Sequence, residues 1–171
     1  MRTFGLGGDS EVSVIEGLEG GLRLGPRRVM PVSLFARDYP ELAHTAMDRA
    51  LTLETPSEEA TQFVIAQWGK FPDGLDAREA AVASRLRDGP VRWMDAVQSR
   101  IEGPALARLV QQGLVMISGV TPSDASHTLG HMADWDTSAA EKALTLFARR
   151  RIGSGDRLSS GAEPLARAII D

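Results

Sequence analysis

The sequence contains no cysteine among its 171 residues. Disulfide bonds, zinc sites built on thiolates and cysteine nucleophiles are therefore all excluded. Lysine is scarce as well, because Lys70 and Lys142 are the only two and arginine supplies the rest of the 19 basic side chains. We interpret this preference for arginine as compositional bias and not as a sign of function.

The sequence also lacks a basic excess, since its net charge is −4. A dedicated nucleic-acid-binding protein would normally be strongly basic. No apolar run approaches the roughly 18–20 residues that span a bilayer, and the first residues do not form the apolar core of a signal peptide. With 43% hydrophobic and 25% charged residues, we expect an ordered cytoplasmic protein of one domain or two small ones.

The first part of the chain, residues 3–35, has the alternating pattern of β-strands. It predicts strands over Glu11–Glu16 and Gly21–Leu24, joined by a glycine-containing turn into a β-hairpin. Pro26 and Pro31 cannot donate a hydrogen bond to a β-ladder, so we expect the sheet to end within "GPRRVMP".

The pattern of residues 38–70 predicts two helices, in "YPELAHTAMDRALTL" and "TPSEEATQFVIAQWGK". The second has a strong start signal, because Thr55 can cap it, Pro56 suits the first helical position and Glu58 follows three residues after the cap. Gly69 and the following "FPDG" mark its expected end.

Residues 74–118 predict three short helices, in "LDAREAAVASRLRDGP", "VRWMDAVQSRI" and "GPALARLVQQG", followed by a strand in "LVMIS". This order is typical of a winged-helix or helix-turn-helix module. This segment contains six arginines and five acidic residues, and such a near balance of charge is unfavourable for binding phosphates. A scaffold or interaction role is therefore favoured over DNA binding, and Trp68 and Trp93 are expected to anchor a core.

The last part of the chain predicts helices in "TPSDASHTLGHM", "DTSAAEKALTLFARRR" and "AEPLARAIID". In the first, Thr121 caps the helix, Pro122 starts it and Asp124 occupies the capping-box position. His127 and His131 are four residues apart, which would place them on one helical face at a spacing compatible with a metal. No glutamate follows the first histidine as in a zinc protease, so a solvated or packed histidine pair is favoured and no metal ligand is predicted.

The stretch "GLGGDS" near the start has two interpretations. Its glycines could let backbone N–H groups converge on an anion, with the following Asp or Ser reaching a metal or a phosphate-bound water. The alternative is a tight turn or bulge that needs glycine for geometry alone. It is not a P-loop, because no Lys-Ser/Thr follows, and it is not a dinucleotide fingerprint, because a strand follows where a helix is required.

Three blocks, "TFGLGGDS", "GGLRLGP" and "TPSDASHTLG", occur in that order. Together they resemble the C-terminal part of the hydantoinase A/5-oxoprolinase family of ATP-dependent lactam-opening enzymes. That family carries Thr-x-Gly-x-Gly-Gly-Gly-Ser, Gly-Gly-x-Leu-x-Val-Gly-Pro and Thr-x-Thr-Asp-Ala-x-x-x-Leu-Gly. Asp9 replaces the third consecutive glycine and Ser123 stands for threonine. The matching positions are Thr3, Gly5, Gly7, Gly8 and Ser10; Gly20, Gly21, Leu22, Leu24, Gly25 and Pro26; and Thr121, Asp124, Ala125, Leu129 and Gly130.

The resemblance implies two α/β lobes of the actin and sugar-kinase type, with ATP and Mg²⁺ held between them. It further implies that ATP phosphorylates the carbonyl oxygen of a cyclic amide, after which water opens the ring. The glycine turn would then lie near the nucleotide or substrate, where backbone N–H groups stabilise charge on phosphoryl or amide oxygens. The resemblance assigns Gly5, Gly7, Gly8 and Ser10 to cofactor binding. Asp9 and Asp124 are the acidic residues that we expect to face the cleft, and they are our candidates for catalysis.

Two departures from the family pattern affect what we expect. The Pro-Gly-Pro-rich segment that follows the second block in the family is missing, and so are the Asp-x-Gly-Gly-Thr phosphate motifs that precede the first. We therefore expect a piece of a longer protein, or a chain that needs a partner subunit, which is inactive alone and acts on a small cyclic amide in the parent.

The predicted fold is α+β, with an N-terminal β-hairpin and C-terminal helices. Residues 1–37 and 119–171 are predicted to form part of an actin-like lobe, and residues 38–118 a mostly helical insertion with a winged-helix-like unit at about 74–118. The alternative function is a non-enzymatic winged-helix interaction or regulatory module.

Overall fold

The structure is a computed structural model that describes residues 9–15 and 20–171. The predictions for Gly5, Gly7 and Gly8 lie outside the described residues. Five strands and eight α-helices are formed by the described residues, which confirms the mixed α+β class. The chain divides into two compact units, Met1–Thr61 with Ser118–Asp171 and, between them, Gln62–Ile117.

In the first unit, β1 (Asp9–Val14) and β2 (Leu22–Pro31) form the predicted antiparallel pair. β2 continues beyond its predicted end at Leu24 and ends at Pro31, the second of the two prolines that were expected to end the sheet. Ser10 pairs with Arg28 and Val12 with Leu24, so residues 25–27 all lie opposite residue 11. Pro26 therefore sits in a bulge, where a missing N–H breaks no ladder bond.

The end of β2 pairs in parallel with the end of β5 (Val115–Gly119). β2 leads directly into α1 (Val32–Asp38), and β5 leads through two residues into α6 (Pro122–Thr128). The carboxyl ends of two neighbouring parallel strands therefore both deliver a helix N-terminus to the same place.

Three more helices complete the first unit. They are α2 (Pro40–Leu51), α7 (Thr137–Ala148) and α8 (Ala162–Ile170), all at positions where the sequence predicts helices. The helices contact one another, α7 packing against α1, α2, α6 and α8. Their apolar faces bury a common core, whose largest fully buried side chains include those of Val12, Val29, Phe35, Met47, Leu144, Leu146 and Leu165.

The second unit contains β3 (Phe63–Ala66), α3 (Ala77–Ser84), β4 (Val91–Arg92), α4 (Trp93–Ala96), a 3-10 turn and α5 (Gly103–Gln111). β3 pairs in antiparallel fashion with β4 and with residues 115–117 of β5, and the strand order is β1-β2-β5-β3-β4. The core of this unit is apolar, and Trp68 and Trp93 pack against it as predicted. The members of this core include Val64, Val82, Leu86, Leu106, Leu109, Val115 and Ile117.

The helix predicted from Thr55 onward was wrong. Its start signal instead forms a turn, in which Glu59 N donates to Ser57 Oγ at 3.1 Å and Ala60 N donates to Ser57 O at 3.1 Å. The residues that follow form β3, in which Phe63 and Val64 are fully buried. An aromatic and β-branched run that can be buried on a sheet is favoured in a strand over a helix.

The first unit is interrupted in sequence between Thr61 and Ser118. Ser118 Oγ donates a hydrogen bond to the carbonyl oxygen of Thr61 at 2.9 Å, so the chain leaves for residues 62–117 and returns at neighbouring residues.

Among the described residues, no helix combines the length and the apolar character needed to cross a membrane.

Candidate functional site

Asp124 lies at the third position of α6 and is completely buried. Its Oδ1 accepts hydrogen bonds from Ser33 N at 2.8 Å and from Ser33 Oγ at 2.6 Å. Its Oδ2 accepts from Val32 N at 3.1 Å and from Thr121 N at 3.1 Å. Thr121 Oγ1 in turn accepts from Asp124 N, which completes the predicted capping box.

The carboxylate of Asp124 therefore joins the N-termini of α1 and α6. Burial raises its pKa, while the hydrogen bonds from Ser33, Val32 and Thr121 oppose that rise. The partial positive charge of two helix N-termini favours the ionised form in the same way. Both oxygens are already engaged by this chain's own donors, so the geometry gives Asp124 a positioning role. Its catalytic role stays a prediction.

Asp9 is the first residue of β1 and is half-buried. Its Oδ1 accepts from Ser10 N at 2.8 Å, and its Oδ2 accepts from Ser123 Oγ at 3.0 Å. These two bonds fix the plane of the carboxylate beside the first turn of α6. Sequence reasoning missed Ser123 as a site residue, although its position in the third block, where the family pattern has another hydroxyl residue, was a usable signal.

The glycines of the second block are explained by backbone geometry. Gly20, Gly21 and Gly25 all have positive φ, at 71°, 125° and 71°. At Gly20 there is also no room, because a Cβ there would lie 2.6 Å from Cγ2 of Ile152. The glycines of this block therefore shape the ribbon of β1 and β2.

The interpretation of His127 and His131 as neighbours on one exposed helical face was wrong. α6 ends at Thr128, and Gly130 follows with φ 81°. His131 N donates to Ser126 O and Gly130 N donates to His127 O, which is the hydrogen-bond pattern of a Schellman helix end. The chain turns away there, so His127 is buried while His131 is exposed.

His127 has both ring nitrogens engaged. Its Nδ1 donates to Ser123 O at 2.7 Å, because a carbonyl oxygen can only accept, and its Nε2 accepts from Trp135 N at 3.1 Å. The ring stacks on Trp135 with centroids 5.3 Å apart. This is a packed histidine in a fixed neutral tautomer. In the part of the chain that the structure describes, no group of three or more His, Asp or Glu residues could hold a metal ion.

A second polar cluster in the first unit ties α2 to α7. Asp136 caps α7 by accepting from Ala139 N at 3.0 Å, and its other oxygen is 2.7 Å from His44 Nε2. Lys142 Nζ donates to His44 Nδ1 at 2.9 Å and pairs with Asp48 at 2.7 Å. Burial acts to raise the pKa of Asp136, but the hydrogen bonds from His44 and Ala139 outweigh it and lower that pKa.

Sequence reasoning missed this cluster because its members come from widely separated parts of the chain. Lysine can only donate, so His44 Nδ1 accepts and Nε2 carries the proton toward Asp136. The cluster is thus a chain of alternating donors and acceptors that holds two helices together.

No protein-family model, curated protein or solved structure matches this chain. What bears on its function is therefore the position in the first unit of Asp9 and Ser10 from the first sequence block and of the second and third blocks, together with the charge distribution of the second unit.

Proposed function

We propose that this chain is part of a hydantoinase/oxoprolinase-like hydrolase. In its parent protein it would use ATP and Mg²⁺ to open a cyclic amide such as a lactam or hydantoin, and it would be inactive alone. One observation supports this most: Ser123 Oγ donates to Asp9 Oδ2 at 3.0 Å across a separation of 114 residues. That contact joins the first block of the resemblance to the third.

The second block, "GGLRLGP", lies at the start of β2, the strand that pairs with β1, and β1 begins at Asp9, which contacts Ser123. β1 and β2 pair along their length, and Val12 N donates to the carbonyl oxygen of Val120, just before α6, at 2.9 Å. β2 then runs into Val32 and Ser33, which bind Asp124. In open α/β proteins, ligands bind beside the carboxyl ends of parallel strands, and the blocks meet beside the ends of β2 and β5. We propose that the first unit is part of an actin-like lobe.

Within this proposal the two acidic residues have different roles. Asp9 is half-buried and each of its oxygens accepts one hydrogen bond, against at least two on each oxygen of Asp124, so Asp9 can still accept a proton from the attacking water. Asp124 positions the helix N-termini around it. Gly5, Gly7, Gly8 and Ser10 keep the predicted role of approaching phosphoryl oxygens. Mg²⁺ is commonly held by one or two carboxylates together with the phosphates of its nucleotide, and the proposal places the nucleotide and its Mg²⁺ in the assembled parent protein.

The test measures ATP hydrolysis that depends on 5-oxoproline or hydantoin. It compares this chain alone with the chain combined with the polypeptide encoded directly upstream. We expect turnover only in the combination, with Asp9→Asn abolishing it and the exposed Asp134→Asn leaving it intact. Turnover by the chain alone that Gly8→Ala removes would show that no partner is needed. Absence of turnover in the combination would contradict the proposal.

Reading the DNA upstream of the Met1 codon is a cheaper test. An in-frame extension that encodes Asp-x-Gly-Gly-Thr motifs would favour the hydrolase. A separate ribosome-binding site at the Met1 codon would favour the interaction module described next.

The second candidate is a winged-helix-like interaction module formed by the second unit. The order α3, β4, α4, α5, β5 and the antiparallel strands favour it. Three of its six arginines pair with carboxylates, and the five acidic residues within residues 74–118 offset their charge, which disfavours DNA as the partner. The pairs are Arg85 with Glu102 at 2.7 Å, Arg92 with Asp95 at 2.8 Å and Arg108 with Glu79 at 2.8 Å. DNA binding that weakens steeply with salt would overturn this view of the partner.

A further inference from the structure

The sequence contains no asparagine and only two Asp-Gly steps, Asp73-Gly74 and Asp88-Gly89. An aspartyl side chain can be attacked by the backbone nitrogen of the next residue. Glycine hinders that attack least, because it has no Cβ and adopts the widest range of backbone conformations. These two steps are therefore the two places in the chain where aspartyl rearrangement at glycine can occur.

The two steps differ in what the glycine nitrogen is doing. Gly89 N donates to the carbonyl oxygen of Leu86 at 3.3 Å, in a series of tight turns that follows α3. Arg87 N donates to Ser84 O at 3.3 Å in the same series. Before Gly89 N can attack Asp88, this turn has to open.

Gly74 lies in the loop between β3 and α3, and both it and Asp73 are exposed. Among the backbone hydrogen bonds of the described residues, none uses Gly74 N as donor. A Cβ added at either glycine would meet no atom within 4 Å, so crowding does not distinguish the two steps. The hydrogen bond on Gly89 N is the difference.

We propose that Asp73-Gly74 is a site of isoaspartate formation, and that Asp88-Gly89 is protected by its turn. In the first step the Gly74 nitrogen bonds to the side-chain carboxyl carbon of Asp73, and the amide proton and carboxyl hydroxyl leave as water. Water then cleaves the bond between that nitrogen and the main-chain carbonyl carbon of Asp73, so the chain continues through the side chain. No oxidant or reductant is required. The product carries a free α-carboxylate, the group that an S-adenosylmethionine-dependent isoaspartyl methyltransferase modifies.

The test incubates the full chain at neutral pH and physiological temperature for several weeks. Isoaspartate is then quantified at each step by peptide mapping and by methyl transfer from labelled S-adenosylmethionine. A hydrogen bond that must open first slows attack by about three- to tenfold, so we expect residue 73 to accumulate isoaspartate faster by about that factor. Asp73→Glu should remove most of the methyl-accepting signal, and the matched variant Asp88→Glu should leave most of it.

Denatured chain supplies the structural control. In denaturant the turn at Gly89 is lost, and the two steps should react at similar rates. Equal rates in the folded chain, or faster reaction at residue 88, would overturn the proposal. A rate difference that persists unchanged in denaturant would also overturn it, because the difference would then come from local sequence and not from the turn.

Discussion

The two units of this protein use polar residues in opposite ways. In the first unit, buried carboxylates bind backbone N–H groups of distant helices, as Asp124 does at Val32 and Ser33. In the second unit, arginines pair with carboxylates at the surface of an apolar core, as Arg108 does with Asp76 and Glu79. Both units have an apolar core, and the first adds the hydrogen bonds of a fully buried carboxylate to it.

This difference teaches where each unit tolerates change. When a buried acceptor is removed, several donors are left without a hydrogen-bond partner, and this costs more stability than the loss of one hydrogen bond. An exposed ion pair contributes little to stability, because water screens the attraction and can solvate each charge when the other is removed. Substitutions at polar residues should therefore damage the first unit far more than the second.

The largest effect is expected from Asp124→Asn. The amide nitrogen of asparagine would face N–H donors on α1 or α6, and we expect a loss of about 2–4 kcal/mol in the free energy of unfolding. Urea unfolding monitored by the fluorescence of Trp135 measures it. The exposed Asp134→Asn is the matched control and should shift stability by no more than about 0.5 kcal/mol. Equal stability of the two variants would contradict the positioning role of Asp124.

The next effect is expected from Gly20→Ala, at about 2 kcal/mol or more. Positive φ alone costs a side chain about 1–2 kcal/mol, and the new Cβ would also collide with Ile152 at 2.6 Å. Gly74→Ala is the control, because Gly74 has φ 78° with open space around it. The difference between the two variants in urea unfolding isolates the collision. A loss at residue 74 as large as that at residue 20 would show that the contact with Ile152 has no influence.

A smaller effect is expected on the stability of the second unit when the pH is lowered. Hydrogen bonds from Arg85 and from Gln98 N lower the pKa of Glu102 to about 2 from its ordinary value of 4.5. A carboxyl group whose pKa is depressed by folding stabilises the fold above its unfolded pKa and loses that contribution as pH falls through the folded pKa. The contribution of Glu102 should therefore disappear between about pH 4.5 and 2.

Unfolding monitored by the fluorescence of Trp68 and Trp93 at a series of pH values measures this loss. Glu102→Gln should make the stability of the second unit less dependent on pH in that window. An unchanged pH dependence in the variant would show that the Arg85 pair does not contribute to stability.

The smallest effect is expected from Lys142→Met. Lys142 joins His44 and Asp48 at the surface between α2 and α7, and a partly exposed pair of this kind contributes about 0.5–1 kcal/mol. Lys70→Met is the natural control, since Lys70 is the only other lysine and is exposed. Thermal unfolding of both variants compares them, and equal midpoints would indicate that the cluster does not stabilise the first unit.

Signals that act within one helical turn could be predicted from the sequence. The capping box of Thr121 and Asp124 was correctly placed, and α2, α5, α7 and α8 lie within segments that were predicted to be helical. Such signals depend on neighbours in the chain. The same signal at Thr55 failed because burial of Phe63 and Val64 in a sheet competes with it, and that burial depends on strands far away in sequence.

The candidate site was only partly predictable for the same reason. Asp9 and Asp124 were selected from their sequence blocks. Besides capping α6, however, Asp124 binds the N-terminus of α1 through Ser33, which lies 91 residues away in sequence. Ser123 and Asp9, which are also in contact, lie 114 residues apart in sequence. No local pattern encodes which backbone N–H groups a buried carboxylate meets once two helices have packed. The prediction that His127 and His131 share one helical face failed because α6 ends at Thr128, with Gly130 in the left-handed conformation, and His131 lies beyond that end.

The bond from Ser118 Oγ to the carbonyl oxygen of Thr61 gives the chain a junction at which 56 residues (62 to 117) are bypassed. Because Ser118 Oγ lies 2.9 Å from the carbonyl oxygen of Thr61, the chain leaves and returns at neighbouring residues, and a short linker could join them. The intervening segment could therefore be shortened, lengthened or exchanged while the helices around Asp124 keep their connections.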